Sequence, residues 1–182
     1  MSKKIVIVST TPRKNGNSEI LANEFMKGAI ENGNEVEMIK IREMNLQFCK
    51  GCFACLKTHK CVVKDDFTVK VLNTLKDADV IVFATPVYYY AVSGQLKTFI
   101  DRMNPLYDMK QKCNDIYIIA TADGKEARTF RGVKEDIKGY IDCYEGKKIK
   151  GMLFAGGVNN IGDVKKHKDY MTKAYEMGKK IK

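Results

Sequence analysis

Three runs of this chain, Ile5–Val8, Val80–Ala84 and Ile116–Ala120, are apolar without interruption and rich in β-branched residues. A strand with one face in water alternates apolar and polar residues. An unbroken run therefore marks a strand covered on both faces, at the centre of a parallel sheet. Parallel neighbours cannot be joined by a tight turn and need a crossover, usually a helix. The segments between the runs have that character. Ser18–Asn32 places Ile20, Leu21, Phe25, Met26, Ala29 and Ile30 along one face and offers Gly33 as a C-terminal cap. Ser93–Met103 spaces Leu96, Phe99, Ile100 and Met103 in the same way before Pro105 stops it. Strands are expected at Lys4–Ser9, Glu35–Lys40, Val80–Ala84, Asp115–Thr121 and Lys147–Ala155, and further helices at Phe67–Leu75, Glu126–Tyr140 and Asp163–Ile181. This alternation predicts an α/β three-layer sandwich around a five-stranded parallel sheet.

The 182 residues suit one domain over 1–182, with no repeat, low-complexity tract or linker to divide it. Only about 44–66 fits neither period, and a loop of that length inside a compact domain is usually functional. Its Leu46, Phe48, Phe53, Leu56, Val62 and Val63 argue for an ordered insertion. The first apolar run is too short for a signal peptide, and no stretch approaches the roughly 20 apolar residues of a membrane span. A cytoplasmic protein without a membrane partner is expected. The net charge of +10 would suit a polyanion. Its carriers, however, are spread along the chain, and the densest group, from Lys165 to Lys182, interleaves with Tyr170, Met171, Ala174 and Tyr175 as on the solvated face of a helix. No nucleic-acid partner is expected.

Two loops carry ligand chemistry. Ser9-Thr10-Thr11-Pro12-Arg13-Lys14-Asn15-Gly16-Asn17-Ser18 leads from the first strand straight into a helix. Hydroxyls, amides and a glycine at a helix N-terminus present free N–H groups and a positive dipole end to an anion. The loop lacks the glycine patterns of dinucleotide and nucleotide-hydrolase sites, which leaves a monophosphate such as that of FMN. The alternative is a helix merely capped by Asn17 or Ser18. Beyond the third strand, Thr85-Pro86-Val87-Tyr88-Tyr89-Tyr90 offers aromatic faces for a flat ring, with Pro86 and Gly94 shaping the backbone; the alternative there is a subunit interface. In the flavodoxin-like strand order 2-1-3-4-5 the first and third strands flank the switch point, so both loops would border one crevice.

Cys49, Cys52, Cys55 and Cys61 fall within thirteen residues of the insertion. In a reducing compartment such a set reads as metal ligands or reactive thiols before disulfides. A Cys-x2-Cys-x2-Cys run is the spacing of bacterial ferredoxins, whereas zinc sites draw on two separated pairs, so the compaction favours an iron–sulfur cluster over zinc. His59 is a candidate substitute ligand, although a lone histidine in a loop is more often a surface residue, and Cys113 and Cys143 are expected to be packing residues.

Ser9 to Ser18 followed by Leu21, and Thr85-Pro86-Val87-Tyr88 followed by Leu96, Lys97, Phe99, Ile100, Asp101 and Arg102, resemble the phosphate motif and flavin loop of the NAD(P)H-dependent FMN reductase family. The resemblance implies that Ser9, Arg13, Asn15, Asn17 and Ser18 hold the FMN phosphate, with Thr11 in the same hydroxyl loop. It implies that Pro86, Val87, Tyr88, Tyr89 and Tyr90 line the ring, and that NAD(P)H is the donor to a small acceptor such as a quinone or flavin. The third flavin loop of that family corresponds to Thr121–Gly124, where Asp123 is a departure. The cysteine spacing also resembles that of iron–sulfur flavoproteins, which hold a [4Fe–4S] cluster near FMN, serve ferredoxin-like partners and form homo-oligomers. Cluster-free reductases of the family resemble the chain as closely in Cys49, Gly51, Cys52, Cys55, Cys61, Asp65 and Asp66, so cluster carrier, cluster-free reductase, a zinc site or disulfide switch on the cysteines, and non-redox binding module all stand at this point.

Overall fold

The computed structural model describes residues 2–182. Among the described residues there are six strands and six α-helices: β1 (Lys4–Ser9), α1 (Asn17–Glu31), β2 (Glu35–Lys40), α2 (Ala54–Thr58), α3 (Leu72–Asp77), β3 (Val80–Tyr88), β4 (Ala91–Val92), α4 (Gly94–Arg102), β5 (Asp115–Thr121), α5 (Ala127–Asp142), β6 (Lys148–Ala155) and α6 (Lys168–Lys179). The sheet runs β2-β1-β3-β5-β6, all parallel, and β4 pairs antiparallel with the end of β3. With that two-residue strand set aside, this is the expected 2-1-3-4-5 order.

The unbroken apolar runs are the central strands, and their side chains divide by parity. Val6, Val8, Ile81, Phe83, Ile116 and Ile118 pack under α3, α4 and α5, against Leu75, Phe99, Val133 and Ile137. Ile5, Ile7, Val80, Val82 and Ile119 pack under α1 and α6, against Leu21, Phe25 and Ala174. The outer strands β2 and β6 alternate instead, and Glu35, Glu37, Lys148 and Lys150 keep these edges from pairing with other chains. Two glycines set the spacing of the second layer. A Cβ on Gly28 of α1 would collide with the Tyr175 carbonyl of α6, and one on Gly178 of α6 with the Phe25 carbonyl of α1. The two helices thus approach backbone to backbone.

Four elements depart from expectation. β3 continues past Ala84 to Tyr88, because beyond the Ser9↔Ala84 pair it has β5 on one side only, where a strand tolerates Pro86. Tyr89 and Tyr90, with φ of 49° and 63°, then form a two-residue left-handed turn into β4. The expected helix Asp163–Ile181 is two pieces, a 3₁₀ turn at Asp163–Lys166 and α6. The insertion contains α2, held between Phe53 and His59, both left-handed, and its exit is one turn of π-helix, Phe67–Val71, running into α3. Among the described residues no helix is long and apolar enough to cross a membrane.

Candidate functional site

The order 2-1-3 places the topological switch point at the C-terminal ends of β1 and β3. The loop after β1 is pinned there by the Thr10 amide, which donates to the Ala84 carbonyl at 2.9 Å. Gly16 lies so close to Thr11 that a Cβ would strike its hydroxyl, and Asn15 takes the left-handed φ of 58° that asparagine tolerates. Gly16 then caps α1 with extended backbone and no side-chain cap. Neither Asn17 nor Ser18 caps the helix. The N–H groups of the first turn and the positive dipole end therefore face outward, as at an anion site.

Two hydroxyls sharpen this. Ser9 Oγ and Ser18 Oγ are buried, at 0% and 1% residue exposure, and have no hydrogen-bond partner. Adjacent hydroxyls show that this is not a general property of the loop. Ser93 donates to Thr10 at 3.0 Å, its backbone N–H donates to Thr85 Oγ1 at 3.2 Å, and Thr10 donates to the Ala84 carbonyl at 3.2 Å. Buried polar groups are nearly always paired, so an unpaired pair beside an uncapped helix start fits a phosphate. The residues present thus fit an FMN phosphate.

Ser18 and the start of α1 open on a cleft of about 200 Å³ built from four loops, whereas Ser9, at the end of β1, is fully buried and not on its surface. Thr11, Arg13, Gly16, Asn17 and Ser18 form one wall, and Pro86, Val87 and Tyr88 another. Thr121 at the end of β5 with Ala122 and Asp123 beyond it, and Val158, Asn159 and Ile161 after β6, close it. Asn17 shapes this wall: its amide donates to the Asn160 carbonyl at 2.9 Å and its Oδ1 accepts the Val164 N–H at 3.2 Å. Arg13 donates to the Asn159 carbonyl at 2.7 Å. Asp163 accepts the N–H groups of Asn159 and Asn160, at 3.3 and 2.7 Å, and pairs with Lys166. The Lys166 ammonium and those N–H groups hold its carboxyl down at about 2, so the loop keeps its anchor through mild acid. The Val158–Ile161 wall was not expected; its only sequence trace is the Gly156-Gly157 pair leaving β6, with Gly157 at φ 76°.

The tyrosines separate. Tyr88 borders the cleft, whereas Tyr89 is fully exposed on the turn and Tyr90 lies under the Arg128 guanidinium at 5.8 Å. Gly94 opens α4 and lines a different groove with Ile41, Met44 and Phe48.

All four clustered cysteines line a second, apolar cavity of about 490 Å³ between the insertion and the C-terminal ends of α4 and α5. Cys55 is buried, Cys61 half-buried, and Cys49 and Cys52 exposed. Cys143 belongs to the same wall and is exposed, which corrects its expected packing role; Cys113 is buried as expected. His59 caps α2 and is absent from the wall. Sulfur-directed donors surround the cavity: Asn104 Nδ2 lies 3.1 Å from Cys55 Sγ, Arg102 Nη2 3.5 Å from Cys61 Sγ, and the Gly51 N–H 3.5 Å from Cys49 Sγ. Tyr140, in the same wall, carries a buried hydroxyl with no partner. Among the described residues no three His, Cys, Asp or Glu side chains converge enough to hold a single metal ion. A cube-shaped cluster takes its thiolates at separate corners, and four thiols with N–H donors around one apolar cavity fit that donor chemistry.

Arg102 is the hub of this region. Its fully buried guanidinium pairs with the equally buried Asp65 at 2.5 and 2.9 Å and donates to the Gln47 carbonyl at 2.8 Å and Thr68 Oγ1 at 3.0 Å. One side chain of α4 thus grips both ends of the insertion.

A parallel sheet in this order, with an anion-receptive loop at its switch point, defines a flavodoxin-like protein with a mononucleotide crevice. The sequence pattern of NADPH-dependent FMN reductases matches residues 3–131, and the chain belongs to that family. An iron–sulfur flavoprotein of Methanocaldococcus jannaschii is 38% identical over 57% of this chain and 53% of its own length. One of Archaeoglobus fulgidus is 32% identical over 76% of this chain and 60% of its own. The chain thus spans about half to three-fifths of the curated relatives it matches. The NAD(P)H:quinone oxidoreductase from Methanothermobacter marburgensis shares the fold, with a TM-score of 0.75 at 17% identity over 98% of this chain and 96% of that one.

Proposed function

We propose that this protein is an FMN-dependent oxidoreductase that passes electrons from NAD(P)H to a small acceptor such as a quinone or a flavin. The observation that carries this is the pair of buried, partnerless hydroxyls, Ser18 at the uncapped start of α1 on the cleft wall and Ser9 at the end of β1. Bound FMN supplies hydride acceptance from the nicotinamide and electron release in ones or twos. The protein supplies grip and orientation. Ser9, Ser18 and the first-turn N–H groups take the phosphate, with Thr11, Arg13 and Asn15 beside it and Asn17 holding the loop opposite. Pro86, Val87 and Tyr88 flank the ring, while Tyr89, Tyr90 and Gly94 shape the hairpin and helix behind it. Asp123 is the one carboxylate on the cleft wall, so donor and acceptor meet a site with little acid–base machinery and use it in turn. Exposed Phe48, Phe53, Val62 and Tyr89 are the contact residues of a homodimer or homotetramer in this reading.

Steady-state oxidation of NADH and NADPH by the FMN-loaded protein with a quinone tests the proposal. Turnover that requires FMN, with parallel double-reciprocal lines, is expected. A colourless protein that FMN does not reconstitute and that oxidises neither nucleotide would leave only the non-redox binding module.

A second reading has its own observation, the four cysteines around one cavity with N–H donors aimed at three of their sulfurs. In it Cys49, Cys52, Cys55 and Cys61 hold a [4Fe–4S] cluster, and the acceptor is a ferredoxin-like protein served one electron at a time.

A further inference from the structure

Two sulfurs of the cysteine cavity, those of Cys55 and Cys61, are met by side-chain donors. Asn104, in the turn that follows α4, places its amide nitrogen 3.1 Å from Cys55 Sγ, and Arg102, the last residue of α4, reaches Cys61 Sγ at 3.5 Å. Arg102 cannot swing away, because Asp65, Gln47 and Thr68 fix its guanidinium on the other sides. Helix α4 is itself anchored at its start, where Ser93 bonds to Thr10 and Thr85 beside the flavin cleft. Both donors therefore hold fixed positions in the frame that carries the cleft. A neutral thiol gains little from such donors. A sulfur bearing charge gains much more, and outer-shell hydrogen bonds orient ligands and tune the metal they hold.

We infer that Asn104 and Arg102 are positioning residues for an iron–sulfur cluster on Cys49, Cys52, Cys55 and Cys61, and that their N–H···S bonds raise its reduction potential. The inference rests on the cluster reading above. Reduction adds one electron to the cluster and changes none of its bonds to the protein. The added negative charge spreads onto the sulfurs, so donors there favour the reduced state.

The test uses the full chain reconstituted anaerobically with iron and sulfide, titrated with dithionite as the one-electron source and followed by electron paramagnetic resonance. Asn104→Leu keeps the size and removes the donor, and Asn104→Asp puts a negative charge in its place. At the wild-type midpoint the reduced-to-oxidised ratio should fall about three- to tenfold in Asn104→Leu, and further in Asn104→Asp, at equal iron content. A merely structural role would alter iron content without ordering the potentials. A second measurement needs no variant: wild-type protein labelled with 15N-asparagine should show a nitrogen coupling to the reduced cluster spin. Equal potentials in all three proteins, or no such coupling, overturn the donor role and leave the cluster reading standing. A wild-type protein that retains no iron and sulfide overturns both.

Discussion

Replacing Arg102 by methionine should destabilise the protein by about 3–5 kcal/mol, because it strands the buried Asp65 carboxylate without its partner. The side chains of both residues are 0% exposed, so solvent cannot take over the lost pairing. The bonds to Gln47, Thr68 and Cys61 go with it, and the insertion loses its clamp. Urea unfolding should show a large fall in midpoint, and proteolysis should begin within Met44–Asp66. The double variant Arg102→Met/Asp65→Leu should recover much of the loss, since apolar residues of similar volume often replace a buried pair at little cost. The pH dependence has a defined sign. Burial alone would push the Asp65 carboxyl up, but the Arg102 guanidinium and the N–H groups of Gln47 and Thr68 outweigh it and hold the group below the ordinary carboxylate range. Its contribution is therefore full above the unfolded value of about 4 and is lost only as pH falls through the lower folded value. In Arg102→Met burial is opposed only by the Gln47 and Thr68 N–H groups, so the deficit should shrink as acid protonates Asp65. An unchanged midpoint at neutral pH would contradict the account.

The variants Ser9→Ala and Ser18→Ala should move stability and flavin affinity in opposite directions. In the flavin-free protein each serine buries a hydroxyl with no partner, and an unsatisfied buried group costs about 1–3 kcal/mol. Removing either one should raise the urea midpoint of the flavin-free form. In the proposed FMN complex the same hydroxyls bond to the charged phosphate. Such a bond contributes about 1.5–3 kcal/mol, so each alanine should weaken FMN by roughly tenfold to a hundredfold. A packing role predicts loss on both counts, and a role in neither predicts no change. The crossed signs are specific to groups kept unpaired for a ligand.

Much of this was legible from local pattern. β1, β2 and β5 have the expected ends because burial on both faces, or alternation at an edge, is written in consecutive residues. Long-range contacts were less legible. The helix expected from Asp163 to Ile181 breaks at His167, after Asn17 draws in the Val164 N–H from far along the chain. Tyr89 and Tyr90 form a left-handed turn without glycine or asparagine, so no turn signal precedes it. Arg102 looked like one residue of a helix motif, and Asp65 like half of an acidic pair. Their union across 37 positions exists only in the fold. The phosphate loop was readable as chemistry, but which hydroxyls stay unpaired was not: Thr10 is consumed by the β3–α4 network while Ser9 and Ser18 are left without a partner.

In the proposed function the cleft at the switch point holds a flavin by its phosphate. Calorimetric titration of the flavin-free protein with FMN and with riboflavin separates the phosphate's share from the ring's. Two or more charge-assisted bonds at about 1.5–3 kcal/mol each predict that FMN binds at one per chain and at least about a hundredfold more tightly than riboflavin. Equal affinities, or no binding of either, would contradict it.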